Sequence, residues 1–215
     1  MLILSFILLF FILTIHEFSH AFAADKLGDP TPQLNGRLTL NPIPHIDPIG
    51  TILLPLFLIL TQSPFFIGWA KPVPYDPFNL KHPKRDAAVI SFAGPLSNLI
   101  MAIIGSLILR FMIFIPNIYF PIWTADLLTT FIQLNILLAI FNLIPIHPLD
   151  GFRVVAGLIP QKYYHDWLDL ERYGLIFLLF MIFPFFGRSP IFTIISPVIN
   201  FLMVLLIPSQ LGGII

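Results

Sequence analysis

The sequence predicts an all-α protein, a polytopic membrane helix bundle of about five spans with a re-entrant segment and a short strand-like loop. Of its 215 residues, 57% are hydrophobic and only 10% are charged, whereas soluble domains carry about 25% charged residues. The mean hydropathy is +0.92. This composition excludes an ordinary soluble globule and a disordered chain. The formal net charge is zero, so we expect no nucleic-acid partner.

Three apolar segments have the length of a spanning helix, because about 20 residues cross about 30 Å of hydrocarbon. They are residues 1–24, 87–115 and 125–144. Two shorter apolar runs follow, at 174–186 and 190–207. The polar segments between these runs are too short to fold alone. We therefore expect one membrane-embedded domain over residues 1–215.

The first apolar segment also has features of a signal peptide, since Ala21-Phe22-Ala23 imitates a cleavage site. However, no Lys or Arg precedes it, and ionisable side chains interrupt its end. Both features are atypical of signal peptides, so a spanning helix is the better interpretation.

The segment that follows the first helix is rich in polar residues and turns. Residues 37–40 alternate polar and apolar side chains, which predicts a short strand. Residues 49–60 are apolar but too short to span, and Pro55 interrupts them. We expect residues 49–70 to form a re-entrant hairpin, although a full span is the alternative.

The strongest chemical signal is HEFSH at residues 16–20. Residues four apart share one helix face, so His16 and His20 can reach the same metal ion. Glu17 beside them can deprotonate a water molecule held there. Six His and only two Glu occur in the chain, so chance would produce roughly 0.0015 such motifs. Ionisable groups within an apolar helix are costly and are functional by default.

A catalytic zinc site takes three protein ligands, so two histidines leave it one short. Asp150 is the best candidate, because it follows a helix of spanning length. An Asp-Gly pair after proline is usually only a turn, so this signal is weak by itself. It becomes strong when it is paired with a membrane-embedded HExxH motif.

The chain resembles the site-2 protease family of intramembrane zinc metalloproteases. The resemblance rests on HEFSH at 16–20, AGPLSN at 93–98 and NLIPIHPLDG at 142–151, which bracket about two-thirds of the chain in the family's order. GRLTLNPIPHIDPIG at 36–50 looks like a compact branch of the family without a PDZ domain. The resemblance implies a Zn²⁺ cofactor. It also implies a role for each of five residues: His16, His20 and Asp150 as zinc ligands, Glu17 as the catalytic group, and Asn142 as a residue that binds substrate or polarises its carbonyl.

Three further residues leave their roles open. Family members of this kind often have Pro-Pro-Leu-Asp-Gly, whereas His147 precedes Pro148 here. His147 is an interfacial side chain by default, with a role beside the metal or as an oxyanion donor as the alternative. His45 and Asp47 belong to a loop turn by default, although the site could recruit them.

The distribution of basic residues predicts the orientation in the membrane. If residues 49–70 are re-entrant, nine basic residues lie on the inner side, and the outer side holds only Arg188, with Arg110 near the outer end of its helix. HExxH and Asp150 then lie toward the cytoplasmic ends of their helices. We expect a multi-pass protein of a bacterial-type cell membrane with its active site toward the cytoplasm.

These observations predict an intramembrane zinc endopeptidase that cuts peptide bonds in or near transmembrane segments of membrane proteins. Its expected partners are a membrane-protein substrate and the lipid bilayer, and the sequence does not predict its oligomeric state. An extended substrate peptide could pair with the strand near residues 36–40. The alternatives are a membrane zinc protease of another family with Glu171 as third ligand, a metal transporter, and an inactive scaffold.

Overall fold

The computed structural model describes residues 2–53, 56–57, 60–61, 68–115, 121–184, 187 and 189–208. Within these ranges the secondary structure is helical throughout, as the sequence predicts. The α-helices are α1 (Leu2–Lys26), α2 (Thr31–Leu34), α3 (Pro83–Phe114), α4 (Ile122–Asn142), α5 (Asp150–Leu158), α6 (Gln161–Leu168), α7 (Glu171–Ile182) and α8 (Pro190–Leu206). Short 3₁₀ turns lie at Ile43–His45 and Pro77–Asn79, and a π-helical turn lies at Pro48–Leu53.

Three of the described helices, α1, α3 and α4, are long and apolar enough to cross a membrane. The two apolar runs after Tyr173 form shorter helices of 12 and 17 residues, α7 and α8, whereas a typical spanning helix has about 20 residues. The protein is therefore an all-α membrane helix bundle, as expected, and three of its described helices have the length and hydropathy of a membrane span.

Local sequence explains where the long helices end. Gly28 follows α1 with φ +101°, a left-handed conformation that glycine adopts without steric cost. Pro83 begins α3 at a position where its missing N–H is not needed. The carboxylate of Asp86 in the first turn of α3 accepts a hydrogen bond from the backbone N–H of His82 at 2.8 Å.

Helix α3 is the centre of the bundle and packs against α1, α4 and α5. Ala102 and Leu109 of α3 form a fully buried core with Ile132 and Ile136 of α4. A second cluster joins Leu149 to Leu178 of α7 and Ile191 of α8. This second cluster anchors the chain immediately before Asp150.

The predicted strand at residues 37–40 is wrong, because this segment forms bends and has no paired strand. The backbone in and around this segment forms hydrogen bonds with side chains and not with a neighbouring strand. Nε2 of His45 lies 2.9 Å from the carbonyl of Thr39, and the Arg37 guanidinium donates to the carbonyls of Pro44 and Lys71. Edge pairing of a substrate with a strand at this position loses its structural basis.

The two ends of the expected re-entrant segment meet. The backbone N–H of Trp69 donates to the carbonyl of Gly50 at 3.2 Å, and the Thr51 hydroxyl donates to the carbonyl of Trp69 at 2.7 Å. Both ends of the segment therefore lie side by side, an arrangement that a hairpin allows and one continuous helix does not. Residues 54–55, 58–59 and 62–67 lie outside the described residues.

The polar stretch from 145 to 173 contains two short helices. Asp150 begins α5, and α6 follows directly after Pro160. Helix α5 is amphipathic, and its apolar face includes Phe152 and Ala156, both buried. Burial of this face against α3 explains a helix that composition alone does not predict.

Candidate metal centre

Helix α1 brings the two histidines of HEFSH together. The Nε2 atoms of His16 and His20 lie 3.1 Å apart, as the spacing of four residues predicts. Both side chains are buried, with exposed fractions of 4% and 8%. The structure therefore confirms a shared face, and that face points into the protein.

Asp150 reaches the same point from the first turn of α5. Its Oδ2 atom lies 3.2 Å from Nε2 of His16 and 3.4 Å from Nε2 of His20. Gly151 makes this approach possible, because a Cβ atom at that position would lie 2.2 Å from the carbonyl oxygen of Leu143. The Asp-Gly pair thus has a steric reason: only glycine allows the chain between α4 and α5 to fold back so tightly.

The three ligand atoms fit a zinc ion. In a tetrahedral site with bonds of about 2.1 Å, neighbouring ligand atoms lie about 3.4 Å apart, and here they lie 3.1–3.4 Å apart. The point in the plane of these three atoms that is equally far from each of them lies about 1.9 Å from each atom. This distance is close to the zinc–ligand bond lengths of about 2.0–2.2 Å. Among the described residues, one group of side chains could hold a metal ion: His16, His20 and Asp150. We call these three residues the metal group.

The two histidines favour the ionised form of the Asp150 carboxyl. Burial acts to raise the pKa of its carboxyl, but electrostatic attraction to His20 and hydrogen bonds with both histidines outweigh that effect. The pKa is therefore held below its usual range. The ionised carboxylate that results is the form that coordinates zinc.

Glu17 lies beside the metal group, and one of its carboxyl oxygens has no hydrogen-bond partner among the described residues. Its side chain is 8% exposed, and the oxygen without a partner is Oε2. A buried carboxylate oxygen without a partner carries a large desolvation cost. Such an arrangement is typical of catalytic groups that take up a proton from substrate or water.

One face of α3 packs against both histidines; the motif AGPLSN at 93–98 in this helix was recognised in the sequence but was assigned no role. Nδ1 of His20 lies 2.7 Å from the carbonyl oxygen of Ile90, and Nδ1 of His16 lies 3.2 Å from the amide nitrogen of Asn98. Gly94 lies between them, and a Cβ atom there would be 2.4 Å from Nε2 of His20. The available signal was the spacing of four within residues 90–98, which places all three positions on one helix face.

The structure does not place Asn142 in contact with the metal group. It is the last residue of α4, it is half-buried, and its amide donates to the carbonyl of Leu138 at 3.0 Å. Its role toward substrate stays a prediction.

The other candidate residues have structural partners away from the metal group. His45 is buried, and its Nε2 atom lies within hydrogen-bond distance of the carbonyl of Thr39. Asp47 accepts hydrogen bonds from the backbone N–H groups of Ile49 and Gly50 at 2.9 and 2.7 Å. His147 lies 3.6 Å from the carboxylate of Glu171.

Glu171 is the third ligand that another protease family would need, and it pairs with Arg153 instead. It is not part of the metal group. The geometry therefore favours Asp150 over Glu171.

Comparison with known proteins agrees with this geometry. The chain is 39% identical over 179 residues to "Putative zinc metalloprotease YwhC" of Bacillus subtilis, which covers 80% of this chain and 76% of that protein. The chain belongs to the site-2 protease family of zinc metalloproteases. Its cofactor is Zn²⁺.

Two further relatives of this protease carry similar names. It is 28% identical over 177 residues to "Putative zinc metalloprotease Rip2" of Mycolicibacterium smegmatis, covering 82% of this chain and 65% of that protein. It is 28% identical over 158 residues to "Zinc metalloprotease MJ0392" of Methanocaldococcus jannaschii, covering 74% of this chain and 35% of that protein. The chain therefore spans about three-quarters of YwhC and less than two-thirds of the other two. No family model matches it, and no solved structure matches it significantly.

Proposed function

We propose that this protease is an intramembrane endopeptidase, which hydrolyses peptide bonds in or near transmembrane segments of membrane proteins. The observation that carries the proposal is the position of the metal group. His16, Glu17 and His20 are buried in α1, a helix long and apolar enough to cross the membrane. A soluble substrate would have no access to a site at this depth without entering the bilayer.

His16, His20 and Asp150 would hold the zinc. When bound, zinc supplies Lewis-acid activation of water and polarisation of the scissile carbonyl. The three protein ligands leave a fourth position for water or substrate, as in other catalytic zinc sites.

Glu17 would act as the general base and then as the general acid. Its unpartnered Oε2 atom takes a proton from the attacking water, and the same carboxyl later donates that proton to the leaving amine. A carboxylate that is not a metal ligand can take part in both transfers without releasing the zinc.

Asn142 would assist at the substrate carbonyl. One hydrogen of its amide is engaged by the carbonyl of Leu138, and the second remains available as a donor. A donor beside the carbonyl would stabilise the negative charge that develops on its oxygen.

The protease would lie in a bacterial-type cell membrane as a multi-pass protein, with its site toward the cytoplasm. Nine of the eleven basic residues fall at the ends of the spanning helices or in the segments that join them, on the side of HExxH and Asp150, and this side is cytoplasmic by the positive-inside rule. The meeting of Gly50 and Trp69 supports the hairpin on which this assignment depends.

The test is a cleavage assay with the full chain, reconstituted with zinc and a substrate that carries one transmembrane segment. Mass spectrometry of the products should place the cut in or next to that segment. Glu17→Gln should keep its zinc, because Glu17 is not a ligand, and should lose about 10²–10⁴-fold in rate.

Three results would contradict parts of this proposal. Loss of zinc in Glu17→Gln would make Glu17 a ligand. Full activity in the same variant would reject the enzymatic role of Glu17. Cleavage of soluble peptides alone would leave a zinc protease that does not act within membranes.

A further inference from the structure

The ring nitrogen of His16 that faces away from the metal group has one neighbour able to bond it. Its Nδ1 atom lies 3.2 Å from the side-chain amide of Asn98. Asn98 is fully buried, with an exposed fraction of 0%. The amide oxygen, Oδ1, has no hydrogen-bond partner among the described residues. A buried polar side chain with one atom unpaired calls for an explanation.

Metal binding decides which atom of the amide must face His16. A histidine that binds zinc through Nε2 is neutral and carries its proton on Nδ1. That N–H group is a donor and needs an acceptor. The amide nitrogen of Asn98 is also a donor, so the two would oppose each other, whereas rotation of the amide by about 180° brings Oδ1 to the same place.

His20 already has such an acceptor. Its Nδ1 atom lies 2.7 Å from the carbonyl oxygen of Ile90, one turn before Gly94 in α3. A backbone carbonyl can only accept, so it fixes the proton of His20 on Nδ1 and leaves Nε2 for the metal. His16 faces the same helix two turns from Ile90, and the acceptor there is a side chain.

We propose that Asn98 is a positioning residue of the metal centre, whose Oδ1 atom accepts a hydrogen bond from Nδ1–H of His16. This bond keeps the lone pair of Nε2 directed at the zinc and fixes the plane of the ring. The inference rests on the proposed zinc site of His16, His20 and Asp150. The proposal gives two residues of the motif AGPLSN a physical role. Gly94 leaves room for the two imidazole rings, and Asn98, one helical turn later, supplies the hydrogen-bond acceptor.

The chain offers a matched control for the experiment. Asn135 in α4 is also fully buried, and its Oδ1 atom also has no partner among the described residues. Its amide nitrogen donates to the carbonyl of Phe131 at 2.9 Å and not to a histidine. Substitution of Asn135 therefore disturbs a buried amide of the same kind without touching the metal ligands.

The experiment measures zinc affinity of the full chain in detergent by competition with a chelator, so it does not depend on activity. Asn98→Leu removes the acceptor at similar volume and should weaken zinc binding about 10–100-fold. Asn98→Asp retains an acceptor of the same shape and should bind zinc within a few-fold of the wild type, or more tightly. Asn135→Leu should bind zinc as the wild type does.

Equal affinity in Asn98→Leu and the wild type would overturn the proposal. Equal weakness of Asn98→Asp and Asn98→Leu would also overturn it, because the amide nitrogen or the packing would then matter and not the acceptor. If Asn98→Leu and the smaller Asn98→Ala both fail to fold, Asn98 is a structural residue and the proposal is rejected. A wild type without zinc affinity would instead reject the proposed zinc site itself.

Discussion

Gly94 should be indispensable, because both histidines of the metal group occupy the space that a side chain at this position would need. In Gly94→Ala, the new Cβ atom would lie 2.4 and 2.6 Å from Nε2 and Cε1 of His20, and 2.7 Å from Cε1 of His16. Non-bonded carbon atoms prefer about 3.5–4.0 Å. Each ring must therefore retreat by about 1 Å.

Such a displacement exceeds what the site tolerates. A functional constellation must be held within about 0.5 Å of its productive geometry, and a misplacement of about 1 Å can cost about 10²-fold in rate. The rings cannot turn freely, because the Nδ1 atoms of His20 and His16 are held at Ile90 and Asn98 of the same helix. We expect Gly94→Ala to lose at least about 10²-fold in activity and to bind zinc more weakly.

Gly105 provides the control, since it lies in the same helix away from the metal. The atoms nearest to a Cβ atom there would be side-chain atoms of Phe131 and Ile132, at 3.0 and 3.1 Å. Gly105→Ala should therefore keep its zinc and most of its activity. The assays are zinc stoichiometry and cleavage rate of each variant in the same detergent. Full zinc occupancy and full rate in Gly94→Ala would refute the steric reasoning.

Two further predictions concern carboxylates. Asp150→Ala should lower zinc occupancy and activity together, because it removes a ligand. Glu171→Ala should leave zinc occupancy unchanged. If metal analysis shows that zinc is lost in Glu171→Ala and kept in Asp150→Ala, Glu171 is the ligand. Asp29 is fully buried at the end of α1 and accepts hydrogen bonds from Thr31, Asn79 and the backbone of Asp76. Burial acts to raise the pKa of Asp29, but these bonds lower it below its usual value. The ionised form therefore stabilises the fold above about pH 4, and this contribution is lost as the pH falls below it. Asp29→Asn should lower the free energy of unfolding at pH 7 by about 1–3 kcal/mol, with a difference from the wild type that shrinks below about pH 4 in thermal unfolding measurements. A constant difference across that range would contradict the assignment.

Periodicity and composition predicted the features that depend on nearby residues. The apolar length of α1, α3 and α4 determines that these helices can span a membrane. The spacing of four between His16 and His20 determines that they share a face, whatever the helix packs against. The charge of the loops predicts their side of the membrane.

Other features depend on residues that are distant along the chain, so local patterns failed there. Residues 37–40 alternate like a strand, but a strand needs a partner, and the side chains of Arg37 and His45 bond this backbone region instead. Composition alone does not predict the amphipathic α5, because its helical structure is stabilised by burial against α3.

The metal group combines both kinds of feature, one determined by nearby residues and one determined by residues that are distant along the chain. Sequence by itself determined the pair His16 and His20, and it could only nominate Asp150, which lies more than a hundred residues away. Tertiary packing decided that Oδ2 of Asp150 meets both Nε2 atoms, because Gly151 lets the chain fold against Leu143. It also decided that Asn98 lies behind His16. The physical reason is that a helix defines its own face, whereas the partner of that face is chosen by the packing of the whole bundle.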